Sequence, residues 1–181
     1  MPGLGADAAH LLMADGTVAM APGLSDDEVA RVESSFGFTF ADDHREFLTT
    51  GLPVGEAWPN WRADGHRNLD KQLRLPADGI LFAVEWKQFW DARWGKRPAR
   101  MKDALRSAAY QLVRVPRMVP VHSHCYLPAG PDSSGHPVLS IYQDDIRVVA
   151  ADLLDYVARL SAPDGPPTAA PTVAFWSDHV R

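Results

Sequence analysis

Gly79–Pro98, GILFAVEWKQFWDARWGKRP, is the stretch on which the fold turns. It opens with an apolar run, Ile80-Leu81-Phe82-Ala83-Val84, that reads as a short strand. The period then changes. Trp86, Trp90 and Trp94 fall at i, i+4 and i+8 with Phe89 beside them, which is one face of a helix. Gly95 offers a left-handed stop and Pro98 cannot continue the helix. A strand feeding an aromatic-faced helix must bury that face, either as core or as a binding platform.

Working outward, the clearest local signal lies upstream. Ser25 followed by Glu28 has capping-box spacing, with Leu24 and Val29 placed for a hydrophobic staple. Asp26 and Asp27 suit the positive end of the helix dipole. The spacing predicts a helix burying Val29, Val32 and Phe36 and ending at Gly37. A second helix is expected over Asp42–Thr50, burying Phe47 and Leu48 and closed by Gly51. Residues 1–23 are rich in Gly, Ala and Met, and only Leu11–Val18 suggests a strand or short helix. Residues 52–68 read as loop around Trp58 and Trp61, and Leu69–Leu75 as a turn of helix or a short strand.

Downstream, Pro98–Arg114 is amphipathic, with Met101, Leu105, Ala108 and Leu112 expected inward. Met118–His122 reads as a strand. Pro137–Tyr142 and Ile146–Ala150 read as a hairpin about Gln143-Asp144-Asp145. Asp152 is placed to cap a last helix carrying Leu153, Val157 and Leu160. Ser161–Pro171 is a Pro/Ala linker, and Val173-Ala174-Phe175-Trp176 is an apolar tail expected to dock back.

The 181 residues suit a single domain, and 46% hydrophobic content is ample for a core. A net charge of −5 and a pI near 5.7 argue against nucleic-acid binding by bulk charge. The basic stretch Arg93–Arg117, with Trp94 for stacking, is then better read as the solvated face of a helix than as a phosphate or RNA site. The lone cysteine, Cys125, allows no internal disulfide, so a reducing cytoplasm is the expected home. The N-terminal patch His10–Ala14 is too short for a signal peptide or a membrane span.

In order and spacing, several of these motifs resemble the SUKH superfamily, which includes the fungal Smi/Knr-type regulators and many bacterial proteins. The resemblance runs from about residue 24 to 160. It rests on GFTF and His44-Arg45-Glu46-Phe47-Leu48, on Ile80–Glu85, and on Phe89-Trp90 and Trp94-Gly95-Lys96-Arg97-Pro98. It continues through Val119-Pro120-Val121-His122, Tyr126-Leu127-Pro128, Pro137–Tyr142 and Asp152-Leu153. It implies an α+β fold with a mainly antiparallel sheet, no catalytic, metal or cofactor site, and a protein partner. Bacterial members are regarded as immunity proteins that neutralise polymorphic toxins, often nucleases; fungal members are interaction scaffolds. The implied organisation is an N-terminal extension (1–23), a SUKH-like domain (24–160), and a linker with a docking tail (161–181).

Candidate chemistry is sparse. His122, His124 and Cys125 are good ligand types, yet on a strand the histidines point to one face and the cysteine to the other. The same group is the alternative enzyme reading, a small metal- or Cys-dependent enzyme, in the latter case with His122, His124 or His136 as base and Asp132 or Asp144 as orienter. Strand-end histidines and a small buried thiol are the plainer reading. Asp144 and Asp145 suit turn chemistry, or contact with a basic partner surface. Trp94, Trp58 and Trp61 complete the expected partner-contacting set, since an indole can keep one edge wet at an interface. Nucleotide-binding and hydrolase motifs, GxGxxG, the Walker loop and GxSxG, do not occur. The expectation is therefore a non-enzymatic protein-binding domain without cofactor, nucleic acid or membrane.

Overall fold

A computed structural model describes residues 3–181. The Ser25 capping box closes as its spacing predicts: Glu28 N–H donates to Ser25 Oγ at 3.2 Å, and Ser25 N–H donates to Glu28 Oε2 at 2.8 Å. Helix α2 (Asp26–Phe36) follows and stops at left-handed Gly37. Helix α3 (Asp42–Thr50) runs directly into strand β2 (Gly51–Val54), which pairs antiparallel with β1 (Ala19–Pro22).

Upstream of β1, Leu4–Asp15 forms helix α1, packed on α3 and on the last helix, α6 (Leu153–Ser161). Its inward face is Gly5, Ala6, Ala8, Ala9 and Leu12, small residues that leave almost no apolar period to read in the sequence. Smallness is what the packing needs. A Cβ on Gly5 would lie 1.9 Å from the Asp43 carbonyl oxygen. Glu46 of α3 caps the start of α1, its Oε2 accepting from Gly5 N–H at 3.1 Å and Ala6 N–H at 3.3 Å.

The Gly79–Pro98 reading is corrected. Ile80–Val84 is not a strand but the last part of a long helix, α4 (His66–Trp86). Its buried positions, Leu69, Leu73, Pro76, Ile80, Ala83 and Val84, follow helical spacing, and within the apolar run Phe82 points outward. The same helix absorbs Leu69–Leu75. It ends at Trp86; Gln88 adopts φ 58° and Phe89 N–H returns to the Ala83 carbonyl at 3.1 Å. The three tryptophans therefore do not share a helix face. Trp90 and Trp94 belong to a loop with a short 3₁₀ turn, Ala92–Trp94. Trp90 Nε1–H donates to the Gly95 carbonyl at 2.7 Å, and the Arg97 guanidinium lies 5.8 Å from the Trp90 ring centre. Arg97 also donates to the carbonyls of Val84 (2.7 Å) and Phe89 (3.2 Å), closing the helix C-terminus with a cation.

Helix α5 (Met101–Leu112) buries Ala104, Ala108 and Leu112; Met101, expected inward, is exposed. The architecture is α+β. Strands β3 (Met118–His122), β4 (Cys125–Pro128), β5 (Val138–Tyr142) and β6 (Asp145–Ala150) form a four-stranded antiparallel sheet in sequential order. The β5–β6 hairpin turns at Gln143, φ 57°.

Both faces of this sheet are covered. Val119, Val121, Leu127 and Val138 meet α1, α2, α3, α6 and the start of α4. Met118, Tyr126, Leu139, Ile141 and Ile146 meet Ile80, Leu112 and the C-terminal tail. Helix α4 thus crosses from one core to the other. Within the tail, Val173, Phe175 and Trp176 are buried as expected, and Trp176 Nε1–H donates to the Pro116 carbonyl at 2.8 Å. Val180 then adds a parallel bridge beside Ile146 of β6, reinforced by Arg181 N–H to the Ile146 carbonyl at 3.0 Å. No helix among the described residues is long and apolar enough to cross a membrane.

Candidate functional site

The residues expected to contact a partner separate into different environments. Trp58 and Trp61 are buried, and their reading as partner-facing is corrected: Trp58 stacks near Phe47 and His122, and Trp61 meets Phe40 edge-on. The 52–64 segment folds onto the core because its indoles fill space between α2, α3 and α4. Trp94 is half-buried, stacked on Phe175 of the tail with centroids 5.7 Å apart.

Asp144 and Asp145 do sit at the hairpin, but each is already paired. Lys87 of the α4 terminus reaches Asp144 at 3.1 Å and Arg181 reaches its other oxygen at 2.8 Å. Partial burial works against the Asp144 charge, yet the Lys87 hydrogen bond and the flanking cations prevail and hold the carboxyl below its usual range. Arg147 does the same for Asp145 through a fork at 2.9 and 3.2 Å. These carboxylates are spent within the chain, which weakens their use as steering charges for a basic partner.

The His122, His124, Cys125 group is rearranged by a tight turn at Ser123-His124, Ser123 at φ 52°: His122 and Cys125 meet on one face of the hairpin beside Tyr156, where a continuous strand would have set them on opposite faces, and His124 leaves the strand. His122 and Cys125 are cross-strand neighbours in β3 and β4. His122 Nδ1 lies 2.7 Å from the Tyr156 hydroxyl, and its ring is 4.3 Å from Trp58. His124 points to solvent beside Ser123 Oγ at 3.1 Å, and His136 contacts Thr172 Oγ1 at 2.8 Å. Burial pushes the Cys125 thiol up and His122 down, the reverse of an activated thiolate–imidazolium pair. Among the described residues no three His, Cys, Asp or Glu side chains converge in a metal-holding group.

A surface that the strand reading concealed is more pronounced. On the outer side of α4, Leu75, Phe82 and Trp86 follow one another at spacings of seven and four residues; they are 47%, 42% and 68% exposed. Tyr142, 67% exposed on the β5–β6 hairpin, faces the same opening. Between helix and hairpin lies a mainly apolar cavity of about 520 Å³, walled by Leu75, Phe82, Tyr126, Ile141 and Tyr142, with Asp78, Ser123 and His124 as its polar rim. Gly79 sets the approach of its walls: a Cβ there would stand 2.9 Å from Gln143 Cα, so only glycine lets the hairpin turn rest on the helix. Phe82 also borders a second hollow, about 560 Å³, between α4 and α5, with Leu81, Leu105 and Ala109. Phe82 is therefore a crest between two hollows, with Leu75 on the rim of the first and Trp86 packed against Phe82. The i, i+7, i+11 spacing of Leu75, Phe82 and Trp86 was the only sequence signal of this surface, and it became visible once Ile80–Val84 proved helical.

Such an arrangement presents large, stiff, apolar side chains beside concave surface, the anatomy of a contact site. In comparisons with protein-family models, curated proteins and solved structures, nothing matches this chain.

Proposed function

We propose that the chain is a non-enzymatic protein-binding domain whose contact surface is the α4 ridge of Leu75, Phe82 and Trp86 with Tyr142 across the cavity. The carrying observation is the exposure of Phe82, Trp86 and Tyr142 in one neighbourhood, where Phe82 meets Trp86 with ring centres 6.4 Å apart and shares the cavity wall with Tyr142. Exposed aromatic residues in a contiguous patch mark interaction sites, and Trp and Tyr are the residue types that dominate binding energy there.

The biological reading is that of an immunity protein that covers the working surface of a toxin, supported by the SUKH-like motif order. Inhibition would be steric and would require no turnover. A scaffold of the Smi/Knr kind would use the same ridge on a different partner.

Co-expression with a toxin encoded beside this protein is the direct test. Growth is expected to be restored, and the two proteins to co-elute on a sizing column. Phe82→Ala and Trp86→Ala should each weaken the complex by about 2 kcal/mol or more and leave the chain folded, with the smaller shift in thermal unfolding for Trp86→Ala, whose ring is the more exposed. Absence of both rescue and complex sinks the immunity reading.

A further inference from the structure

We infer that the occupant of the α4 ridge is a basic amphipathic helix of another protein, with apolar side chains seated on Leu75, Phe82 and Trp86 and two cationic side chains seven residues apart along one flank. This rests on the protein-binding reading above and specifies the partner's chemistry.

The first observation is shape. The ridge is helical, and hollows of about 520 and 560 Å³ open on the two sides of Phe82, so a partner helix can place side chains into both. The second is charge. Asp78 and Glu85 stand on the same flank of α4, seven residues apart and on either side of Phe82, and both line the α4–α5 hollow. At about 1.5 Å of rise per residue their Cα atoms are roughly 10 Å apart along the axis. Both are exposed, and neither has a cation within ion-pair distance among the described residues. Arg106, on the opposite wall, is drawn to Asp103 at 3.9 Å. Other carboxylates near the cavity, Asp144 and Asp145, carry their own cations. Asp78 and Glu85 thus supply negative charge along the flank of an apolar ridge that has none of its own, and an approaching Lys or Arg pair meets both without displacing an internal partner.

The third observation concerns the competing mode, in which a partner adds a strand to the sheet. At the β6 edge Val180 and Arg181 already sit against Ile146, the part of the strand nearest the hairpin turn, and β3 carries Pro120, which has no amide to donate. Both features disfavour strand addition beside the hairpin and favour side-chain packing on the helix.

The test is a selection of helical peptides from a library with fixed leucines and randomised flanking positions, using the full chain as bait. Enriched peptides are expected to carry Lys or Arg seven residues apart. Their affinity should fall about tenfold or more in the Asp78→Asn, Glu85→Gln double variant and weaken with added salt. It should be lost in Phe82→Ala, with circular dichroism confirming that each variant is folded. Enrichment of acidic or uncharged helices overturns the inference. So does a chain that dimerises through Trp86, with the dimer lost in Trp86→Ala. Peptides that bind Phe82→Ala undiminished overturn this site and leave protein binding standing. A selection that enriches no helix overturns it as well, while growth rescue by the toxin partner judges the broader reading separately.

Discussion

His44 and its neighbour Asp43 open α3 from inside the core, and they carry opposite consequences for acid stability. The His44 ring packs edge-on to Phe40, and its Nδ1 has no hydrogen-bond partner among the described residues. Burial alone depresses its pKa from 6.5 to about 3. Between those values the unfolded chain binds a proton that the native one refuses, so stability is full above pH 6.5 and falls as pH drops toward 3. Asp43 accepts N–H bonds from His44 and Gly135, yet burial outweighs them and raises its pKa above 3.8. Its contribution therefore falls as pH rises through the window just above 3.8. His44→Leu removes the first effect and keeps the second. The urea midpoint of the parent chain should drop between pH 7 and pH 5, and that of His44→Leu should drop measurably less. Equal losses in both would show that His44 does not govern the acid limb.

At the scale of an element, Arg97 decides how α4 ends. Its guanidinium serves the carbonyls of Val84 and Phe89, and Val84 is fully buried. Arg97→Ala should cost about 2 kcal/mol, the range for hydrogen bonds to a charged group. Arg100→Ala, at an exposed position, should stay within about 0.5 kcal/mol; chemical denaturation separates the two. This terminus also shows which elements were legible in the sequence. Helices α2 and α3, the hairpin and the Asp152 cap announce themselves through signals a few residues apart, and they fold as those signals say. Helix α4 was misread because Leu81 and Phe82 make a continuous apolar run of Ile80–Val84, and continuity imitates a buried strand. The run is continuous because Phe82 serves the outer ridge while Ile80, Ala83 and Val84 serve the core. Helix α1 was missed for the reverse reason, an inward face of Gly and Ala. At the site, the neutralisation of Asp144 depends on Lys87 and Arg181, which lie 57 and 37 residues away in the chain, beyond any local pattern.

Across the whole molecule, the tail does structural work. Trp176 is among the largest fully buried side chains, set against Pro116 and Phe175. Around it, Asp91 accepts from Arg93 and contacts His179 Nε2 at 2.9 Å, while Arg93 reaches Asp178 at 2.6 Å, tying the 3₁₀ loop to the tail. Trp176→Ala should destabilise the fold by about 4 kcal/mol, with thermal unfolding as the readout; a shift of only a degree or two would mean that the tail merely rests on the surface. The last residues have a further consequence. A sheet whose outermost strand is exposed is a template for stacking copies edge to edge, the route to fibrils. Here Val180 and Arg181 lie across that template beside Ile146 of β6, so a copy pairing along this edge would first have to lift them off.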